Sequence, residues 1–333
     1  LTLAADTRTN GGSAYLLSQS VDVSKDFADL TNTYFFADSL SSFDTATGRG
    51  TICWKRRQLM PRQAFNANTY LHQPLKSLDF PDTAYPQDPD LGFSVEPVNG
   101  RTLRLRIHTS PVTPSEPDSL SPMLAGPVGK DASDWKVSRD GADIVYTSPY
   151  GSLRIQADPW RIVILDNEGH ELSRTRTWSD NDSTQIKVPP FSFIKRGSDN
   201  SRSINPVFSL TPGERIFGLG EGPGRLDKVG QKLNLFVTDP QGPESPDMYK
   251  PIPFFFSNRG YGMFVHTSAP LTADVGQSYI GANKLFMADE DLDLFIMGNS
   301  QADPQRIHLS QRTPRNASAV EFRHMDEPHQ LLH

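Results

Sequence analysis

The stretch "MYKPIPFFFSNRGYGMFVHTSA", residues 248–269, carries the clearest fold signal in the sequence. Two prolines are followed by three consecutive phenylalanines, a Ser-Asn-Arg-Gly turn and a second apolar run. Aromatic runs bounded by turn residues are typical of β-strands. We expect Phe254 and Phe256 to fill a core while Phe255 faces the other side of the sheet. The alternative is an aromatic edge beside a sugar.

Other segments repeat the strand pattern. In "RTLRLRIHT" (101–109) aliphatic residues alternate with Arg104 and Arg106, which predicts one apolar face and arginines in water. Similar patterns occur in "GSLRIQADP" (151–159) and "EDLDLFIMG" (290–298). Strands separated by turn signals, without amphipathic helices between them, indicate an antiparallel sandwich.

The composition favours a β-rich protein with many turns. The chain of 333 residues is 36% hydrophobic, enough for a packed core, and contains 27 prolines and 24 glycines. Both residues weaken helix interiors, so we expect few long helices. Prolines recur from about residue 50 to 95 and predict connections between strands there.

The charge balance argues against a nucleic-acid partner. Asp and Glu outnumber Lys and Arg by 39 to 33, for a net charge of −6, whereas nucleic-acid binding calls for clustered cations. We expect the small basic run "WKRRQ" (54–58) to be a solvated loop. The single cysteine, Cys53, excludes an internal disulfide and cysteine-based zinc motifs.

The compartment is predicted from what the sequence lacks. No run of 18 apolar residues is present, so we expect no membrane span. We expect a cytoplasmic protein, because no signal segment is seen and the chain has one cysteine. Secretion is the alternative if Leu1 is a processed N-terminus.

A glycine-rich loop, "GLGEGPGR" (218–225), has four glycines in eight residues. It predicts positive φ angles or a close approach of its backbone to another group. The spacing loosely resembles a nucleotide-binding GxGxxG fingerprint. That fingerprint must open a helix, which Pro223 and the β-like sequence after it disfavour.

This region carries a family resemblance. "FGLGE" (217–221), "TD" (238–239) and "MYKPIPFFFSNRGYGMFVHTS" (248–268) resemble the N-terminal β-sandwich of glycoside hydrolase family 31. The form "YKPIPFFFSNRGYG" is most similar to its α-xylosidase branch. The resemblance is strongest over about 210–300 and extends less closely over about 95–210.

The resemblance implies an all-β fold, an antiparallel galactose-mutarotase-like β-sandwich, which in the family packs on a (β/α)8 barrel that this chain lacks. Family members remove α-linked sugars from non-reducing ends with retention. They use two carboxylic acids on the barrel and no metal or organic cofactor. The resemblance thus implies no catalytic residue in this chain, which we expect to be inactive alone. Its implied partners are an α-linked oligosaccharide or glycoside and the barrel domain.

The resemblance also implies substrate-binding residues. In the family the sandwich contributes a loop to the pocket, and the Asp of its "TD" segment matches Asp239. A carboxylate there would accept hydrogen bonds from sugar hydroxyls. Alternatively Asp239, which precedes Pro240, only begins a turn. Tyr249 and Lys250, just beyond this loop, are further candidates.

We divide the chain into three parts. Residues 1–94 are a polar, proline-rich lead-in with the first strands, and residues 95–300 are the β-sandwich. Residues 301–333 are expected to be an out-of-frame or disordered tail, because apolar residues after Ile307 fit neither helix nor strand periodicity. The family continues there with a helix and a barrel strand resembling "WSFGxWxSR".

The genetic code favours the out-of-frame explanation. Shifted forward by one nucleotide, codons for residues 320–329 permit "WSFGTWMSRI". The second tryptophan is forced, because the Met325 codon ATG precedes the G of an Asp codon. Residues 302–308 permit "PILNAYT", and 317–319 permit a proline run. A sequencing error, a mis-assigned intron or a pseudogene lesion would each produce this shift.

One alternative function is a stand-alone carbohydrate-binding or mutarotase-like sandwich without hydrolase activity. An aldose epimerase needs a His and Glu pair in its concave face. Here His72, His108, His170 and His266 are scattered, and none lies in a local acid/base motif.

A metal-dependent hydrolase is another alternative. The C-terminal run contains His324, Asp326, Glu327 and His329, all suitable ligands for zinc. The two histidines are five residues apart with Pro328 between them, so they do not share a helix face. We therefore predict no metal site.

Overall fold

The computed structural model describes residues 21–60, 70–74, 84–111, 134–180, 185–186, 188–222, 224–238 and 248–298. Over these ranges the regular structure is β-strand, apart from two short 3-10 turns, Val23–Ala28 and Trp178–Asp180. No helix in these ranges is long and apolar enough to cross a membrane.

The strands are numbered in chain order. They are β1 Thr33–Asp44, β2 Arg49–Met60, β3 Tyr70–Pro74, β4 Asp90–Asn99, β5 Thr102–His108, β6 Lys136–Asp140, β7 Asp143–Ser148, β8 Gly151–Gln156, β9 Arg161–Leu165, β10 Glu171–Arg174, β11 Gln185–Ile186, β12 Ser192–Lys195, β13 Arg202–Asn205, β14 Val207–Ser209, β15 Ile216–Gly218, β16 Gln231–Leu235, β17 Phe254–Ser257, β18 Tyr261–Val265, β19 Leu271–Val275, β20 Ala282–Met287 and β21 Asp291–Gly298.

The described strands form two sheets. A large 16-stranded sheet has the order β15-β17-β18-β21-β5-β4-β2-β1-β12-β13-β20-β19-β16, with β3, β11 and β14 paired beside this path. A five-stranded sheet has the order β10-β9-β8-β7-β6. Strand pairs such as β4–β5 and β8–β9 are antiparallel. The predicted all-β, antiparallel sandwich is confirmed.

The main hydrophobic core draws aliphatic and aromatic side chains from both sheets. Trp54 and Trp160 are fully buried in it. The Trp54 ring meets Phe193 edge-on at 4.9 Å between centroids, and the Trp160 ring meets Phe191 at 5.3 Å. Each large side chain buried in this way stabilises the fold by roughly 1.5–3 kcal/mol.

Strand β5 confirms one half of its prediction and contradicts the other. Its aliphatic residues are buried in the core as expected. Arg104 and Arg106 do not lie in water, because their side chains are only 16% and 14% exposed. Neighbouring strands place Asp293 and Glu96 against them on the outer face of the sheet. Alternation shows which side chains share a face, but not what covers that face.

Strand β2 contains the basic run that was predicted to be a solvated loop, and that prediction is wrong. The Arg56 guanidinium donates to the Tyr85 carbonyl at 3.0 Å, and the Arg57 guanidinium lies 4.5 Å from the Trp178 ring centre. Partners distant in sequence thus stabilise these cations in a strand. Strands β1 and β2 also place residues 33–60 of the lead-in within the large sheet.

Strand β17 reverses the predicted roles of its phenylalanines. Phe255 is the residue in the main core, at 1% exposure. Phe254 and Phe256 point to the outer face and are half-buried. Phe254 packs there against a small cluster that contains Phe264 and Phe295. The run has the predicted alternation, but the sequence did not show which face is the interior.

A short segment joins the two edges of the large sheet. The Lys228 N–H donates to the Ile216 carbonyl on β15, and the Gly230 N–H donates to the Val275 carbonyl on β19, both at 2.7 Å. β15 is one edge of the sheet, and β16, which pairs with β19, is the other. We call residues 228–230 the edge strap, because they bring the two edges together.

Candidate functional site

The glycine-rich loop meets the segment before β17 at one end of the large sheet. We call this surface the rim and define it as residues 218–222, 224–230, 236–238 and 248–252. Two isolated bridges hold it together, one between Glu221 and Lys250 and one between Val237 and Met248.

The glycines of the rim are required by the backbone. Gly218 and Gly220 have φ angles of +108° and +89°, which residues other than glycine rarely adopt. A Cβ atom on Gly220 would collide with the Lys250 carbonyl oxygen. The predicted close backbone approach is confirmed, and its target is the segment that carries Tyr249 and Lys250.

Asp239, the main predicted substrate ligand, lies outside the described residues. The residues on either side of the stretch 239–247 are bonded to each other, since the Thr238 N–H donates to the Met248 carbonyl at 3.3 Å. The Thr238 hydroxyl is buried and has no hydrogen-bond partner among the residues that the structure describes. The role of Asp239 stays a prediction.

Tyr249 and Lys250 both lie on the rim and both face solvent. The Tyr249 side chain is 60% exposed. The Lys250 Nζ is 4.0 Å from the Glu221 carboxylate, and both side chains are more than half exposed. An ion pair this open contributes little to stability, so both charges remain accessible to a polar ligand. Glu221 was not predicted as a site residue. The motif "FGLGE", which ends at Glu221, is the sequence signal that could have identified it.

A buried carboxylate lies just before β15, the strand that leads into the rim. Glu214 is 5% exposed and accepts hydrogen bonds from the Ser257 hydroxyl at 2.6 Å and the Tyr261 hydroxyl at 2.7 Å. It also accepts from the Thr211 N–H at 2.9 Å. Burial, together with the Glu214 charge, raises the pKa of Tyr261 well above its ordinary value. Enclosed in this way, Glu214 fixes the start of β15 and does not face a substrate.

His108 and His266 both have structural partners. His266 Nδ1 lies 2.7 Å from Asp293, which also binds the Arg104 guanidinium through two contacts of 2.7 Å. His108 Nδ1 lies 3.3 Å from Asp291. Burial opposes ionisation of Asp293, but Arg104 and His266 outweigh it and hold its pKa below the ordinary value. Neither His108 nor His266 pairs with a glutamate, as an epimerase would need.

One group in the described part of the chain offers three potential metal ligands, Asp166, Glu168 and His170, whose ligand atoms lie within 4.8 Å of one another. They form the turn between β9 and β10. Asp166 accepts hydrogen bonds from the Glu168 N–H at 2.9 Å and the His170 N–H at 2.8 Å. These hydrogen bonds close the turn, which explains why the three side chains lie close together. The C-terminal His and acid cluster lies outside the described residues.

Two hollows lie away from the rim. One, of about 20 Å³ between the sheets near Trp135 and Tyr150, holds at most a water molecule. The other is an open groove of about 520 Å³ beside Lys55 and Asp88. Because residues 75–83, which follow its lining residue Pro74, are not described, we assign no ligand to it.

Comparison with known proteins places the fold and the rim in a family. Residues 92–274 match the family model described as the glycosyl hydrolase 31 N-terminal galactose mutarotase-like domain. The chain belongs to glycosyl hydrolase family 31. The match includes the glycine-rich loop, β17 and β18 and confirms the resemblance found in the sequence.

Two curated relatives and one solved structure show how far the similarity reaches. The α-xylosidase of Emericella nidulans is 33% identical over 88 residues, 26% of this chain and 11% of the relative. The α-xylosidase XylQ of Lactiplantibacillus pentosus is 27% identical over 114 residues, 34% of this chain and 15% of the relative. The cycloalternan-forming enzyme from Listeria monocytogenes, solved with a pentasaccharide substrate, has a TM-score of 0.57 at 15% identity. It covers 80% of this chain and 21% of its own, and it shows a shared fold.

The matched regions thus span between 11% and 21% of the length of these three proteins.

Proposed function

We propose that this family 31 chain is the N-terminal sandwich of a retaining α-glycosidase acting on non-reducing-end α-xylosides or α-glucosides. The family match over residues 92–274 carries the proposal, and the two α-xylosidase relatives direct it to α-xylosides. A barrel domain outside these 333 residues supplies the chemistry and needs no cofactor.

Retaining hydrolysis needs two carboxyl groups about 5–5.5 Å apart on either side of the glycosidic bond. Three carboxylates of the described core and outer face are committed elsewhere. Glu214 binds two hydroxyls, Asp274 lies 3.0 Å from Lys284, and Asp293 binds Arg104 and His266. These commitments support the proposal that the nucleophile and the acid/base lie outside this chain, which alone is inactive.

In the proposed enzyme the rim borders the substrate pocket. The exposed Tyr249 ring suits the CH-rich face of a pyranose. Lys250 donates to sugar hydroxyls, while Glu221 and Asp239 accept from them. The glycine-rich loop packs against the Lys250 backbone and so fixes the position of Lys250 relative to the large sheet.

Hydrolysis assays test the proposal. We expect the product of the complete locus to cleave p-nitrophenyl α-xyloside or α-glucoside with retention, as followed by proton NMR of the released sugar. The 333-residue chain should cleave neither. Activity of this chain alone, or inversion by the complete product, contradicts the proposal. Sugar binding by a locus that encodes no hydrolase would favour the stand-alone carbohydrate-binding sandwich.

We further propose that residues 301–333, which lie outside the described residues, are translated one nucleotide out of frame. The forced tryptophan at the Met325 codon supports this. Resequencing the locus across codon 301 tests it. An intact reading frame through codon 333, with no barrel-coding sequence in the next frame, contradicts it.

A further inference from the structure

Three polar side chains are buried side by side on the outer face of β12 and β13, namely those of Ser192, Ser203 and Asn205. Each of the three residues is 0% exposed. Their neighbours along the two strands, Phe193 and Ile204, point into the main core, so the polar side chains point to the opposite face of the sheet. In the register of this strand pair, Ser192 lies directly opposite Asn205.

None of these three side chains has a hydrogen-bond partner among the residues that the structure describes. The Ser192 and Ser203 hydroxyls are buried and unpaired, and so are both the nitrogen and the oxygen of the Asn205 amide. A buried polar group without a partner is costly, and protein interiors therefore supply one, either from the chain or as ordered water. Four such atoms in one place indicate a ligand that satisfies them.

The surroundings of the three side chains are apolar and closed to solvent. One buried cluster, which we call the N-terminal cluster, consists of Val23, Phe27, Tyr34, Phe36, Leu59, Ile194 and Phe286. Phe36 of this cluster lies opposite Ser192, and Ile194 lies opposite Ser203. The 3-10 turn Val23–Ala28 contributes Phe27, whose ring centre is 5.1 Å from that of Phe286. A ligand of the polar side chains is therefore cut off from bulk solvent.

Another hydroxyl and amide pair in the same sheet shows a direct bond instead. Thr272 on β19 lies opposite Asn234 on β16, and its hydroxyl donates to the Asn234 amide oxygen at 3.0 Å. Ser192 and Asn205 are opposed in the same way but are not bonded to each other. Opposed side chains have Cβ atoms about 4.5–5.5 Å apart, and two hydrogen bonds of about 2.8 Å through one water molecule span such a gap.

We infer that Ser192, Ser203 and Asn205 form an internal binding site for ordered water, in which one water molecule bridges Ser192 and Asn205. Buried water makes about three hydrogen bonds, and these three side chains provide them. The amide donates through its nitrogen and accepts through its oxygen, and each hydroxyl does both, which matches the donors and acceptors of water. A metal ion would leave the amide N–H groups unpaired, and an apolar ligand would leave all four atoms unpaired. The site shares no residue with the rim.

Nuclear Overhauser contacts between water and side-chain amides test the site in the 333-residue chain. We expect a cross-peak from long-lived water to the Asn205 Nδ2 protons. The Asn32 amide is the matched control, because it is also buried but donates to the Asp26 carbonyl at 2.8 Å, and it should show no such peak. A missing peak at Asn205 overturns the water site. Peaks of equal strength at both amides also overturn it, since they would reflect general access of solvent.

Urea unfolding of Asn205→Leu provides an independent test, because leucine has as many side-chain heavy atoms as asparagine but no polar group. With water bound, the substitution deprives that water and both serines of partners, so we expect a roughly tenfold or larger unfolding equilibrium constant. In a dry site the substitution would only remove an unsatisfied amide. An unchanged or smaller unfolding equilibrium constant therefore overturns the water site.

A double-mutant cycle tests whether the side chains share a ligand. Ser192→Ala should also favour unfolding, and its effect and that of Asn205→Leu should sum to more than the effect of the double variant, because both side chains bind the same water. Additive effects overturn the shared site. The measurement on the Asn205 amide needs no variant, so it decides between a wet and a dry site even if Asn205→Leu does not fold.

Discussion

On the outer face of β5, β18 and β21, the Asp293 carboxylate lies between the Arg104 guanidinium and the His266 ring, each within 2.7 Å. On the rim, the Lys250 ammonium lies 4.0 Å from the Glu221 carboxylate, and both side chains are more than half exposed. The charges of the outer face are therefore enclosed in contacts within the chain, while those of the rim stay open to water. Breaking an enclosed ion pair is therefore costly to the fold, whereas exposed charges contribute little to stability and stay accessible to a ligand.

The largest expected effect comes from breaking the enclosed ion pairs of the outer face. Asp293→Asn leaves Arg104 and His266 enclosed without their anion, so we expect a loss of about 3–5 kcal/mol in the free energy of unfolding, measured in urea. Asp291→Asn is the control, because that side chain is 38% exposed and its ion pair is with His108. Equal losses in both variants would show that burial of the ion pair is not what matters.

At the rim, the largest effect should come from its backbone. Gly220→Ala forces a Cβ atom into the Lys250 carbonyl at a φ of +89°, and we expect a loss of about 2–3 kcal/mol. Gly213→Ala has a similar φ of +81° but open space around the new atom, so it should cost about 1 kcal/mol. Thermal unfolding of both variants isolates the close approach from the dihedral strain.

A smaller loss is expected where the rim joins the core. Glu214→Gln weakens the hydrogen bonds to Ser257 and Tyr261, which should cost about 1–2 kcal/mol in urea unfolding. Glu221→Gln on the exposed side of the rim should stay within about 0.5 kcal/mol of the natural chain. If Glu221→Gln costs as much as Glu214→Gln, the rim is not open to solvent as described.

Acid titration should weaken the same Asp293 ion pairs gradually. Because the folded-state pKa of Asp293 is below its ordinary value, its ion pairs contribute fully above the unfolded pKa of about 4 and are lost as pH falls through the folded pKa. We expect the free energy of unfolding to fall on acidification from pH 5 to pH 3. Asp293→Asn should show a shallower slope, and a parallel slope would assign the acid sensitivity to other carboxylates.

The smallest effect on stability should come from the exposed ring of the rim. Tyr249→Ala removes a side chain that is 60% exposed, so we expect a change within about 0.5 kcal/mol. In the complete enzyme the same substitution should raise KM for an aryl α-xyloside several-fold without changing the unfolding midpoint. An unchanged KM would remove Tyr249 from the proposed substrate contacts.

The strands that could be predicted from the sequence are those with local patterns. Alternation identified β5, β8 and β21, whose aliphatic residues are all in the core. It failed for β2, because the run from Lys55 to Arg57 resembles a loop unless its distant partners are known. Arg56 binds the carbonyl of Tyr85, 29 residues away, and no local pattern contains that information.

The candidate site, too, could be predicted from the sequence only in part. The glycines predicted unusual backbone angles, and Gly218 and Gly220 have them. The sequence does not show that this loop packs against the Lys250 carbonyl, because that contact depends on the order of the strands in the sheet. The Glu221–Lys250 pair depends on the same approach of two segments that are distant in sequence, so no local pattern predicts it.

The position of β21 bears on how the protein is made. Although it is the last strand described, it lies between β18 and β5, and its Asp293 binds Arg104 from 189 residues earlier. During translation β5 and β18 must wait with unpaired edges until residue 298 has left the ribosome. A ribosome that stalls before codon 291 thus releases a chain with two open strand edges, which we expect chaperones and proteases to recognise as unfinished.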